Sequence, residues 1–339
     1  MASTIRDVAR LAGVGSGTVS RVINNSPKVG PGTRARVLEA IAALEFHPSA
    51  LARRLSSGKT LSVGVVVPFM TRPSVIERLR GIEVALSTTG YDLVVFNVET
   101  MERRASVLLD LVRGQRVDGL IVVGLSPNDI EVATIERLRV PTVLLDAFHP
   151  RLSRVVVNDV AGGRVAAGHL IELGHRRIGF LGDLAVVAFS YPASRLRHRG
   201  VRVALRRAGL ALRDTYAVLG DHGRIPAREV AQRLLELPEP PTGIVCASDT
   251  QALGALEAAR NLGLDVPGDL SILGYDDLEI AGYLGLSTIR QPLFESGVRS
   301  VRMLMQHIAD GPGPPVRELL EVELVRRSTT GPASLRSTI

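Results

Sequence analysis

The chain reads as a small all-α head followed by an α/β core, and three observations predict that class. Its first sixty residues hold nine Lys/Arg against three Asp/Glu and break into three short stretches of helical periodicity. After Leu61, short β-branched runs alternate with amphipathic stretches of helical length, the pattern of parallel sheets covered on both faces. Third, no run of about twenty uncharged apolar residues interrupts the 339, as a membrane span would require.

In the head, Thr4 and Asp7 stand in capping-box spacing at the start of a helix whose apolar period is Val8, Leu11 and Ala12. Gly13 ends it with a residue that tolerates a left-handed backbone. A second helix opens near Gly15 or Ser16 and presents Val19, Val22 and Ile23. Two short helices joined by a tight glycine-containing turn make a helix-turn-helix. Gly30-Pro31-Gly32-Thr33 starts a third helix with proline at its first position, and Val37, Leu38, Ile41 and Leu44 form its buried stripe.

In the core, Val63 to Val67, Leu93 to Phe96, Gly119 to Val123, Thr142 to Leu145, Ile178 to Leu181, Gly243 to Cys246 and Ser271 to Leu273 read as strands. Sheets of this kind bind ligands at the carboxyl ends of their strands. The lone cysteine, Cys246, reads as a small core residue and His175, after Leu173-Gly174, as a turn residue. No pair of histidines or cysteines has metal-ligand spacing.

Charge is unevenly placed. Of 41 basic and 34 acidic side chains, 32 and 31 remain once the head is removed, so nearly all of the net +7 lies in the head. That is the footprint expected for contact with a polyanion. Arg6 and Asp7 occupy the place where a signal peptide needs apolar residues, and one cysteine offers no internal disulfide. Both point to the cytoplasm.

The head segments Thr4-Ile5-Arg6-Asp7-Val8-Ala9, Ala12-Gly13-Val14, Thr18-Val19-Ser20-Arg21-Val22-Ile23-Asn24, His47-Pro48 and Leu51-Ala52-Arg53-Arg54-Leu55 resemble those of the lactose-repressor family of bacterial transcription regulators. The likeness continues through Leu79-Arg80-Gly81-Ile82-Glu83, Val117-Asp118-Gly119-Leu120-Ile121, His169-Leu170-Ile171-Glu172-Leu173-Gly174-His175, Ser248-Asp249, Gly274-Tyr275-Asp276-Asp277 and Thr288-Ile289-Arg290-Gln291-Pro292. It implies a helix-turn-helix head over 1–47, a hinge helix and linker over 48–60, and a two-lobed core over 61–331. The lobes would be doubly wound parallel sheets of periplasmic-binding-protein type, with a flexible tail over 332–339. Nothing after Arg327 has a heptad pattern, so a homodimer on a near-palindromic double-stranded operator is expected.

By the same resemblance, the second helix lies in the major groove and Arg21 grips guanine there. Ser16 and Gly17, before Thr18, fall at the family's specificity positions but are too short for bidentate base contacts. Thr4, Ser20, Asn24 and Thr33 are placed to hold phosphates. In the hinge, Leu55 is the expected minor-groove wedge, with Ser49, Ala52 and Arg53 beside it. Ser49 stands where the family has asparagine.

For the cleft, Arg197 and Asp276 match the family's strongest ligand-gripping positions, an arginine fork and a carboxylate suited to neighbouring hydroxyls. Asp146 and Ser248 are lesser candidates. Arg72-Pro73-Ser74-Val75 replaces the family's Asn-Pro-aromatic pattern, and His222 replaces an aromatic platform. Phe69, or Phe189 and Tyr191, would then supply stacking. Arg72 with Arg197 raises an anionic ligand, a sugar phosphate or sugar acid, beside a neutral sugar. The expected function is a sequence-specific DNA-binding regulator, a repressor, controlled by a small ligand in the cleft, with no cofactor, no metal and no catalysis. A regulator gated by a protein partner or by nothing, with a degenerate cleft, is the alternative. A solute-binding protein or enzyme of the same fold is disfavoured by the basic head and by the lack of a nucleophile-base or metal constellation.

Overall fold

The computed structural model describes residues 3–23, 26–46, 60–114, 116–183 and 193–333. Asn24, Ser49, Ala52, Arg53 and Leu55, and the aromatics Phe189 and Tyr191, lie outside the described residues. The chain divides into two compact units, Met1–Leu61 and Ser62–Ile339.

The first unit is three helices, α1 (Ile5–Ala12), α2 (Ser16–Ile23) and α3 (Pro31–Ala43). Thr4 and Asp7 form a reciprocal capping box, and Gly13 closes α1 at φ 65 with its N–H on the carbonyls of Ala9 and Arg10. Pro31 occupies the first turn of α3, and Arg34 Nη2 donates to the Ser26 carbonyl at 2.6 Å, tying α3 to the preceding turn. Val8, Ala9, Ala12, Val19, Val22, Val37 and Ala40 make the core. Two expected core leucines are outside it: Leu11 is 56% and Leu38 52% exposed. Each lies about 110° around its helix from the centre of the stripe that packs, which Ala9 and Ile5 share on α1 and Ala40 and Ile41 on α3. Small residues serve because the helices sit close.

The second unit holds two six-stranded sheets. Lobe 1 has the order β2 (Asp92–Val98), β1 (Ser62–Pro68), β3 (Gly119–Val123), β4 (Thr142–Leu145), β5 (Ser153–Val157), β11 (Arg317–Leu320), all parallel. Lobe 2 has β7 (Ala217–Gly220), β6 (Ile178–Asp183), β8 (Gly243–Cys246), β9 (Ser271–Asp276), β10 (Ser287–Arg290), β12 (Glu323–Val325), with only β12 antiparallel. All seven expected strands are present. Helices α4 (Pro73–Leu86), α5 (Met101–Arg113), α6 (Asp129–Arg137) and α12 (Leu293–Asp310) belong to lobe 1. Helices α7 (Asp159–Glu172), α8 (Ala193–Arg207), α9 (Arg224–Leu235), α10 (Asp249–Asn261) and α11 (Glu279–Tyr283) belong to lobe 2. The chain crosses between lobes after Val157, after Arg290 and after Leu320, so three strands of backbone hinge them.

β1, β3, β4, β8 and β9 are buried along their whole length, which is why they read as continuous apolar runs. Burying one such Val or Leu stabilises the fold by roughly 1.5–3 kcal/mol. Cys246 is a buried free thiol in β8 whose pKa burial raises. His175 is more than a turn residue. It is buried, with Nδ1 at 2.9 Å from Thr242 Oγ1 and Nε2 at 3.0 Å from Ser271 Oγ and 3.1 Å from the Gly331 carbonyl, so it pins the C-terminal segment to lobe 2.

Candidate functional site

On the head, the face of α2 opposite Val19 and Val22 carries Gly17 and Arg21, four residues apart and exposed together with Ser16. A Cβ added to Gly17 would meet nothing within 4 Å, so this face is open and Arg21 is its one long donor. Thr18, Ser20 and Thr33 are half-buried. The Thr4 hydroxyl donates to Asp7 Oδ2 at 2.6 Å, and its hydrogen bonds hold the Asp7 carboxyl below the ordinary range.

In the second unit, sequence-predicted residues from both lobes converge on the hinge. Arg197, on α8, is buried. Its Nε donates to Asp159 Oδ1 at 2.8 Å, its Nη1 donates to the Ala247 carbonyl at 2.5 Å and lies 3.6 Å from Asp276 Oδ1, and its guanidinium stacks 3.7 Å over the Tyr275 ring. Burial opposes the Arg197 charge, but Asp159, Tyr275 and Asp276 outweigh it and hold its pKa well above the usual value. Burial raises the carboxyls of Asp159 and Asp276, with Arg197 pulling both back. Asp276 ends β9 at φ 118 and Asp146 follows β4 at φ 51, left-handed backbone that non-glycine residues adopt at a cost and that clusters at functional sites.

Asp146 is held by residues not anticipated from sequence. Arg78, fully buried on α4, donates from Nη2 to Asp146 Oδ2 and, at 3.1 Å, to Gln291 Oε1, while Nη1 donates to the Ser74 carbonyl at 3.1 Å. Gln291 Nε2 donates in turn to Asp276 Oδ1. Asp146 Oδ1 accepts from the Val157 amide at 3.2 Å. The result is one polar chain, Asp146, Arg78, Gln291, Asp276, Arg197, Asp159, running from lobe 1 to lobe 2 through two of the three crossings. Asp159 and Tyr275 also escaped the sequence reading. For Arg78 a signal existed in a short internal repeat, Arg-x-Arg-Gly-x-x-Val-Ala-Leu at 78–86 and 197–205.

The other candidates are placed around this chain. Ser248 is buried and caps α10, its Oγ accepting from the Gln251 amide at 3.2 Å. His222 Nδ1 lies 3.0 Å from Asp183 Oδ1, which also accepts from Gln251 Nε2 at 3.0 Å. It is a polar partner and not a platform. Arg72 places its guanidinium 4.3 Å over the Phe69 ring, and Phe69 packs into lobe 1. Ser74, in the first turn of α4, is half-buried. Among the described residues no group of three or more His, Cys, Asp or Glu is arranged to hold a metal ion. No helix among them is long and apolar enough to cross a membrane.

Comparison with known proteins agrees with this fold. Residues 4–49 match the model of bacterial regulatory proteins, lacI family, and residues 167–330 match a periplasmic binding protein-like domain. The ribose operon repressor of Escherichia coli (strain K12) is 36% identical over 312 residues, covering 90% of this chain and 93% of that protein. The HTH-type transcriptional repressor CytR of the same strain is 33% identical over 339 residues, covering 97% of this chain and 96% of its own. The lac repressor dimer bound to operator and the anti-inducer ONPF superposes with a TM-score of 0.87 at 30% identity, over 98% of this chain and 100% of that one. Two matching domain models in the expected order, and relatives matched almost end to end, place this chain in the lacI family of bacterial regulatory proteins.

Proposed function

We propose that this DNA-binding regulator is a repressor whose operator affinity is set by a sugar or sugar derivative held between the lobes. The observation that carries the reading is the Arg197–Asp276 pair at the carboxyl end of β9, joined across the hinge to Asp146. A ligand that bonds to Arg197, Asp276 and Asp146 acts on the crossing strands themselves, and a ligand preferring one lobe angle shifts the population toward it. Structural relatives support the ligand class: one is a CelR-cellobiose complex (TM-score 0.73, 31% identity) and another a regulator with bound ribose (TM-score 0.71, 26% identity). The head over 1–47 reads a near-palindromic operator as a homodimer, with Arg21 on the base edge and the segment 48–60 as the hinge. The rim residues Phe69, Arg72, Ser74, His222 and Ser248 shape the cleft. The protein works in the cytoplasm and carries out no catalysis.

The test is a thermal-shift screen of the full chain against neutral sugars, sugar phosphates, sugar acids and nucleobases, followed by operator binding at fixed salt with each hit. A ligand at a hundredfold excess over Kd stabilises the native state by about 2.7 kcal/mol. A hit that alters operator affinity and disappears in Asp276→Ala supports the reading, whereas a hit that leaves operator affinity unchanged refutes it. One observation favours a second reading, a regulator gated by a protein partner: the cleft's charges already satisfy one another. A complete absence of hits moves the assignment there.

A further inference from the structure

Helix α7 carries two consecutive glycines, Gly162 and Gly163, inside a helix where each costs about 1 kcal/mol against alanine. Each makes room for something particular. A Cβ on Gly163 would stand 2.8 Å from the Arg197 carbonyl carbon, so its absence lets α8 come close enough for Arg197 to reach Asp159 at the start of α7. Lobe 1 has the same device, with Gly297 of α12 set against the Arg78 carbonyl. A Cβ on Gly162 would run into the Tyr275 hydroxyl and stand 2.7 Å from the ring carbon that bears it. This second glycine therefore seats an aromatic ring. Tyr275 is fully buried, and the Arg197 guanidinium carbon lies 3.7 Å over its ring centroid, which is van der Waals contact between a planar cation and a ring face. Two edges of the guanidinium are held by hydrogen bonds, Nε by Asp159 and Nη1 by the Ala247 carbonyl. Such bonds tolerate a broad spread of angles, so they fix the rim of the plane better than its tilt. A ring face holds the tilt.

We propose that Tyr275 is a positioning residue for Arg197: its ring sets the plane of the guanidinium that grips the ligand, and Gly162 seats the ring. The inference rests on the cleft being the control site. A guanidinium donates in its own plane, so the tilt of that plane decides whether ligand oxygens meet its N–H groups at a good angle. The ring also ties the two halves of the grip together. Tyr275 and Asp276 are adjacent at the end of β9, so one residue orients the arginine and the next supplies the carboxylate 3.6 Å from its Nη1. A fork ordered before the ligand arrives loses less freedom when the ligand binds, which strengthens binding. A leucine at 275 would fill much of the space but offer no face.

Calorimetry on the full chain with D-ribose and with cellobiose tests this, together with NMR of the arginine-labelled chain. The Arg197 guanidinium signals, identified by their loss in Arg197→Lys, should be displaced upfield by the ring beneath them. That displacement should persist in Tyr275→Phe and vanish in Tyr275→Leu. A sugar that binds the parent should bind Tyr275→Phe within about threefold and Tyr275→Leu at least about tenfold more weakly. Gly162→Ala drives the ring away and should lose about as much. Adding it to Tyr275→Leu should cost nothing further, because no ring is left to displace. Phe180→Leu, which removes an equally buried ring from the same lobe, should lower the melting temperature without changing sugar affinity. If Tyr275→Leu does not fold, Gly162→Ala and the parent spectrum decide. The proposal is overturned if the parent signals show no ring displacement, if Tyr275→Leu or Gly162→Ala binds like the parent, if their losses multiply, or if Phe180→Leu weakens binding as much. If neither sugar binds the parent, the cleft reading falls together with it; if a sugar binds the parent and Tyr275→Leu alike, this proposal falls alone.

Discussion

Lobe 1 and lobe 2 place the same arginine on the same turn of equivalent helices, yet give it different company. In lobe 2, Arg197 is shared by Asp159 and Asp276 and stacked on Tyr275. In lobe 1, Arg78 donates to Asp146 and to the amide oxygen of Gln291, and its charge also reaches Asp159 and Asp276. The difference is set in part by the first residue of the crossing helix, Asp159 against Leu293. Two lobes of one topology therefore hold the same guanidinium among different partners, and a helix-start position supplies part of the difference. The lesson is that backbone packing fixes where a guanidinium sits, and the neighbouring helix start helps to fix which carboxylates it meets.

Removing the arginines should break this comparison most severely. Arg197→Ala leaves two buried carboxylates without their cation and should cost about 3–5 kcal/mol in a urea titration. Arg78→Ala takes the directly paired cation from one carboxylate, Asp146, and should cost less. If Arg78 proved the costlier of the two, the charge inventory would be wrong. Next in size are the glycine crossings: Gly163→Ala and Gly297→Ala each drive a methyl into a carbonyl, at 2.0 Å and 2.3 Å, and should lose about 1–3 kcal/mol as the helices part. Equal losses in the two lobes would confirm that their packing is equivalent; a neutral Gly297→Ala would show lobe 1 to be looser.

A smaller effect separates the lobes by pH. Asp249, buried in lobe 2, accepts from Thr288 Oγ1 at 2.6 Å and the Leu278 amide at 2.8 Å. Burial and the charge of Asp276 nevertheless push its carboxyl up from 3.8 to about 8. Between those values the folded state holds a proton that the unfolded chain has released, so stability falls as pH rises and levels off above about 8. His169 and His175, whose pKa values burial lowers, act in the opposite sense but only at and below their ordinary 6.5. From pH 6.5 to 8 the decline should therefore show in the melting temperature, at no more than about 1.4 kcal/mol per pH unit. Asp249→Asn should flatten it, and an unchanged slope in that variant would assign the decline elsewhere. The smallest effect belongs to the rim: Arg72→Ala removes the cation–π contact with Phe69, worth about 0.5–1 kcal/mol. It should leave stability nearly unchanged, and a larger stability loss would mean that the rim is part of the lobe 1 core.

The head was legible because its signals are local. Thr4 and Asp7 lie three residues apart and Gly13 closes the helix they open, so a capping box and a left-handed cap are written in consecutive letters. Leu11 and Leu38 were misread because periodicity gives a stripe but not its centre. Which of two adjacent stripes packs depends on the partner helix. In the cleft, Arg197 and Asp276 were named through resemblance, while Arg78 and Asp159 were not singled out. The partners that bury Arg78, Asp146 and Gln291, are 68 and 213 residues away, so the internal repeat shared with Arg197 is its one local mark.

The sequence by itself determined the division into a basic helical head and an α/β core. It also determined the strands, because hydrophobic periodicity and capping act over a few residues and need no partner to be read. Tertiary structure alone decided that a chain of carboxylates and guanidinia, linked through Gln291, should cross the hinge. Pairing of buried charges depends on which helix starts and strand ends the fold brings together, and on the low dielectric that makes an unpaired charge there untenable.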